Sequence, residues 1–180
     1  GYRFVDRGGT SVALQVEMGM EGYKAGDSDA LEGMRKRRNA IEASVVMTHA
    51  LTHGQIEMKL SRDVSGTHRG YSARLGYEHY LPASAFGVTS FYVAGEYFDS
   101  GKADYYFGVR EDEVRAGRDP WVQGSVAAVS GGVQHLYPVN ARVTFVGSVG
   151  YRAFERDLRS SPIVERSGQI QAHAAFVYGF

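Results

Sequence analysis

Cysteine is absent from the 180 residues, which excludes a disulfide framework, a thiolate metal site and a cysteine nucleophile. Proline occurs only four times, and no apolar run reaches the roughly 18 residues that a helix needs to cross a bilayer. The stretch with least charge, residues 120–141, is broken by Gln123, Gly131, Gly132, Gln134, His135, Pro138 and Asn140, and suits a strand and its turn better than a helix in lipid. An excess of either charge is missing too: 20 Lys and Arg balance 20 Asp and Glu, so no bulk attraction draws the chain to nucleic acid. Arg3, Asp6 and Arg7 interrupt the opening residues, which do not read as a signal peptide.

Glycine and aromatic residues are abundant, at 23 Gly, 12 Tyr and 9 Phe, a balance that favours strands and tight turns. Alternation with period two recurs along the chain. Val12, Leu14, Val16, Met18 and Met20 oppose Gln15, Glu17 and Glu21; Ile41, Val45 and Met47 oppose Glu42 and Ser44; Ile56, Met58 and Leu60 oppose Glu57, Lys59 and Ser61. Leu75 and Tyr77 oppose Arg74 and Glu78, Val143, Phe145, Val149 and Tyr151 oppose Ser148 and Arg152, and Ile170 to Phe180 alternates to the last residue. With weaker segments in 88–98 and 121–137, about eight strands of about ten residues result, the length of a tilted membrane-crossing strand.

The links between these segments alternate in length. Short ones lie near residues 6–10, 52–54, 82–87 and 138–142, long ones at 24–38, 62–70, 99–120 and 155–168. Short periplasmic turns and long extracellular loops are the pattern of an antiparallel up-and-down transmembrane β-barrel. A soluble eight-stranded barrel or sandwich would share the alternation. The loop lengths, the aromatic residues gathered near strand ends and the final phenylalanine favour the membrane. Residues 1–180 then form one barrel domain, with 1–5 read as the end of a strand whose start is missing.

Several residues are candidates for a role. Arg35, Lys36, Arg37 and Arg38 form a basic run beside a long loop, suited to the phosphates of lipopolysaccharide or simply to water. Glu17, Glu42, Glu57, Lys59, Arg74, Glu78, Arg152 and Gln171 fall on inward faces and would line or plug a lumen. The loop 99–120, with Tyr105, Tyr106 and Phe107, has room to hold a short helix or to fold inward; it offers a binding surface, or an aromatic anchor at the membrane boundary that would look the same. Asp63, Ser65 and His68 include the residue types of nucleophilic catalysis, yet one short loop rarely orients a triad; Asp27 and Asp29 fall short of a calcium-ligand pattern. No metal or cofactor is expected, and no enzymatic activity.

Four motifs, GDSDALEGM (26–34), DVSGTHRGY (63–71), DYYFGVREDEVRAGRDPW (104–121) and SSPIVE (160–165), come in an order and spacing that resembles the MipA/OmpV family of MltA-interacting outer-membrane proteins. The resemblance implies location in the outer membrane of a Gram-negative cell, and for the family's namesake a scaffold joining a lytic transglycosylase to a murein synthase. Other members are described as adhesins or as contributors to permeability. Phe176, Tyr178 and Phe180 resemble the terminal signal read by the barrel-assembly machinery. Family members carry further N-terminal strands, so an N-terminally incomplete chain is expected.

Overall fold

The structure, a computed structural model, describes residues 1–166 and 168–178. Among them nine strands form a single antiparallel sheet in which spatial order follows chain order. They are β1 (Tyr2–Arg7), β2 (Thr10–Met18), β3 (Ile41–Leu51), β4 (Gly54–Asp63), β5 (Tyr71–Tyr80), β6 (Val88–Phe98), β7 (Val126–Pro138), β8 (Val143–Phe154) and β9 (Gly168–Tyr178). The opening residues thus make a strand of their own, paired with β2. Within the described residues β1 and β9 each have one neighbour. The helix α1 (Ser100–Phe107) follows β6, and no described helix is long and apolar enough to cross a membrane.

Up-and-down connectivity leaves every interior strand paired on both sides, which satisfies the backbone groups that hydrocarbon cannot. Gly8 and Gly9, with φ of 60° and 76°, close the β1–β2 hairpin in left-handed conformations that glycine adopts without steric cost. Residues 52–53, 81–87 and 139–142 make the other short turns at the same end.

Side-chain placement inverts that of a soluble protein. Leu14, Val16, Met18, Leu60, Leu75 and Val149 are exposed on the outer surface, Val16 by 71%. The inner face buries Glu42, Ser44, Ser61, Ser90, Glu96 and Ser130. Met58 and Lys59 on β4 show the division at adjacent positions: Met58 points outward and is exposed, whereas Lys59 pairs with Glu17 across the interior. So large an apolar surface, continuous around the strands, is the lipid face of a barrel.

The apolar core lies at one end of the sheet. Phe98, Ala103, Val126, Ala128 and Leu158 pack together with Phe107, Phe154 and Val164. Beside them Met34, Val109 and Ile163 pack with Tyr23, Leu31 and Trp121. Tyr23, Leu31, Met34, Ala103, Phe107, Val109, Trp121, Leu158, Ile163 and Val164 come from the long loops 19–40, 99–125 and 155–166, which fold into a cap over the strand ends that supply Phe98, Val126, Ala128 and Phe154. Two expectations are corrected by this cap. Residues 121–125 are loop, because Trp121 bridges to Val109 and β7 starts only at Val126. Tyr23, Phe98 and Phe154 pack in the cap instead of joining an interfacial belt; Tyr71, Tyr97 and Tyr151 stay exposed at that end, and Tyr137, Phe176 and Tyr178 at the other.

Candidate functional site

The inner face of the strands and the underside of the cap line a half-open cavity of about 720 Å³, with Glu17, Glu42, Glu57, Arg74, Glu78, Arg152 and Gln171 among its lining residues. Alternation puts these residues there: each occupies the position that points away from lipid on its strand. Lys59, the eighth residue expected inward, reaches Glu17. Register sets like charges side by side, Glu17 opposite Glu42 and Lys59 opposite Arg74. Cross-pairing relieves both. Arg74 Nη1 donates to Glu57 at 2.9 Å, Lys102 Nζ to Glu42 at 2.9 Å, and Arg152 Nη2 lies 2.8 Å from Glu96.

Lys102 enters this network from above. It belongs to α1, whose N-terminus is capped by Asp99: one carboxylate oxygen accepts from the Lys102 N–H and from the Tyr71 N–H. The cap therefore sends a cation down onto the inner strand face. His68 Nε2 lies 3.1 Å from the same Glu42 oxygen, and its Nδ1 accepts from the Gly70 N–H. His68 is thereby turned away from Ser65, whose hydroxyl donates to Asp63. Asp63 in turn accepts the backbone N–H of Ser65, His68 and Arg69. That carboxylate is a loop organiser, and Asp63, Ser65 and His68 have no triad geometry. Asp27 accepts the Lys24 N–H in a turn, and among the described residues no group of three His, Asp or Glu stands where it could hold a metal ion.

The cap is fastened by a buried ion pair. Arg37 is 2% exposed and Glu113 1%. The guanidinium grips the carboxylate with two hydrogen bonds, of 2.6 and 2.7 Å, and its Nε donates to the Tyr105 carbonyl. The rings of Tyr23 and Tyr105 lie 5.8 and 5.7 Å from it. Glu113 also accepts the N–H groups of Arg35 and Arg110. Burial alone would raise its pKa, but the Arg37 hydrogen bonds and these N–H groups outweigh it and bring the carboxyl down to about 2. Burial pushes the Tyr23 phenol up to about 12. Arg118 completes the cap by donating to the carbonyls of Ala30, Glu32 and Glu113.

This geometry corrects two sequence-based sites. Within the basic run Arg35, Lys36 and Arg38 are exposed, but Arg37 is committed to Glu113 and is no counter-charge for lipopolysaccharide. Tyr105, Tyr106 and Phe107 form no outer binding surface. Tyr106 is 2% exposed and donates to the Arg38 carbonyl, Tyr105 accepts from the Arg38 N–H, and Phe107 packs on Phe154. Phe176 and Tyr178 lie exposed on β9, while Phe180 falls outside the described residues. Sequence reasoning missed Arg37, Glu113 and Arg118 as a unit, and missed Lys102 in the lumen; only the charge density of 110–118 hinted at the first.

A family model described as MltA-interacting protein MipA matches residues 1–180. Among curated proteins the chain is similar to outer membrane protein Omp26La of Vibrio anguillarum, with 29% identity over 99% of this chain and 70% of that protein. It is similar to outer membrane protein OmpV of Vibrio cholerae serotype O1, with 27% identity over the same shares. Putative outer membrane protein YiaT of Escherichia coli K12 is 24% identical over 78% of this chain and 57% of its own length. No solved structure matches the chain.

Proposed function

The chain belongs to the MltA-interacting protein MipA family, is an outer-membrane β-barrel protein, and on that premise we propose that it is a non-enzymatic scaffold for the murein machinery. Its short-turn end faces the periplasm and holds a lytic transglycosylase and, with it, a murein synthase. The observation that carries this reading is the cap: packed loops, a buried ion pair and Lys102 close the long-loop end over a lumen crossed by charge pairs. A pore would keep that end open to solutes. The family's description, naming interaction with MltA, supplies the partner class. A second reading, a permeability role, is favoured by the polar cavity of about 720 Å³ beneath the cap.

Affinity capture from envelope extracts tests the choice. The scaffold should retain a lytic transglycosylase and lose it when the turns 81–87 and 139–142 are replaced by short glycine-containing turns. Retention unchanged by those replacements, or ohmic conductance in planar bilayers with no partner captured, contradicts it.

A further inference from the structure

We propose that the turn end of the lumen is a binding site for an organic primary ammonium ion, with Glu78 as its counter-charge. The other glutamates on the inner strand face each have a cationic partner: Lys59 for Glu17, Lys102 for Glu42, Arg74 for Glu57 and Arg152 for Glu96. Among the described residues Glu78 has none. It accepts only neutral donors, the Ser90 hydroxyl, Gln55 Nε2 at 2.9 Å, Gln134 Nε2 at 3.3 Å and the Tyr80 hydroxyl at 3.4 Å. These bonds fix the carboxylate in place without neutralising it. They also orient both glutamine amides with nitrogen toward Glu78, leaving the two amide oxygens without a hydrogen bond among the described residues.

Tyr92 supplies the second feature. It stands opposite Glu78 in the β5–β6 register and opposite Gly132 on β7, which in turn faces Gly150 on β8. The phenol stretches along the inner wall over both glycines. A Cβ at Gly132 would come within 2.8 Å of its hydroxyl, and one at Gly150 would collide with it outright. Two missing side chains on neighbouring strands thus form the berth in which this ring lies along the wall. Its hydroxyl makes no hydrogen bond to a described residue. Gln55, Glu78, Tyr92 and Gln134 all line the same cavity.

A fixed carboxylate, two unused amide oxygens and an aromatic ring lining one cavity are the groups that an ammonium ion requires. The charge meets Glu78, the three N–H bonds find oxygen acceptors, and the ring offers its negative face. A quaternary ammonium would leave the amide oxygens unused, and an inorganic cation would leave the ring unused.

The test is ligand-observed NMR on the full-length protein in a non-ionic maltoside detergent, with n-butylammonium chloride as probe and n-butanol as its uncharged analogue. Saturable n-butylammonium binding is expected, with none for n-butanol. Glu78→Gln, which keeps the shape, should weaken binding at least about tenfold, and Tyr92→Leu about fivefold; heat-modifiable migration reports that each variant is folded. Binding unchanged in either folded variant overturns the proposal, as does equal binding of n-butanol or the absence of saturation by the unmutated protein. The outcome is independent of whether a murein enzyme is captured.

Discussion

Replacing Arg37 by methionine strands Glu113 as a buried charge with no counter-ion. Removing one partner of such a pair costs about 3–5 kcal/mol, and the loss should fall on the cap while the strands persist. Limited proteolysis reads this directly: new cleavage within 19–40 and 108–118, with the strand fragment intact. Replacing Arg37 and Glu113 together by apolar residues of similar volume should restore much of the resistance, since no charge is then left buried. The same pair fixes a pH response. Glu113 titrates near 2 in the folded cap against an ordinary 4.5, so its ionised form stabilises the cap at any pH above about 4.5. That share is lost progressively as pH falls towards 2. The protection of the Arg35 and Arg110 N–H groups, which Glu113 accepts, against exchange, taken relative to the intrinsic rate at each pH, should fall across that interval, and Glu113→Gln should flatten the response.

At the scale of elements, α1 depends on its cap residue. Asp99→Ala removes the acceptor shared by the Lys102 and Tyr71 N–H groups and should cost about 1 kcal/mol, seen as faster amide exchange over 100–107 with the strands unaffected. On β4, Met58→Arg puts a charge on the lipid face and should cost about 2–4 kcal/mol if Met58 sits near the bilayer midplane. Lys59→Arg, one residue along and pointing inward, should be close to neutral in the same vesicle unfolding measurement. This contrast also marks what could be read from the sequence. Period-two alternation of Ile56, Met58 and Leu60 with Glu57, Lys59 and Ser61 is a local signal, and it carries strand, facing and inward set together. Alternating loop lengths were equally local and gave the topology. The cap was not legible, because its contacts join residues far apart in the chain, Arg37 to Glu113 and Arg118 to Ala30, through loops with no periodicity. For that reason Arg37 looked like one of four solvated bases, and Tyr105, Tyr106 and Phe107 like a free aromatic surface. Glu78 was legible as an inward residue, but not as the glutamate left without a cation, since that follows from which side chains pair across the interior.

For the molecule as a whole, every assignment above rests on hydrocarbon being the solvent of the outer face. With charge inside and Leu14, Val16, Met58 and Leu75 exposed outside, the chain has nowhere stable to be except a bilayer or a substitute for one. These 180 residues hold no cysteine, so single cysteines introduced at Met58, Lys59, Leu60, Arg74 and Leu75 meet no competing thiol among them and carry a nitroxide label in the protein in liposomes. The account predicts that labels at Met58, Leu60 and Leu75 relax strongly with oxygen, which concentrates in lipid, and weakly with a water-soluble nickel chelate, whereas those at Lys59 and Arg74 respond weakly to oxygen. Labels at Met58, Leu60 and Leu75 that respond chiefly to the nickel chelate, or are shielded from both reagents, would contradict it.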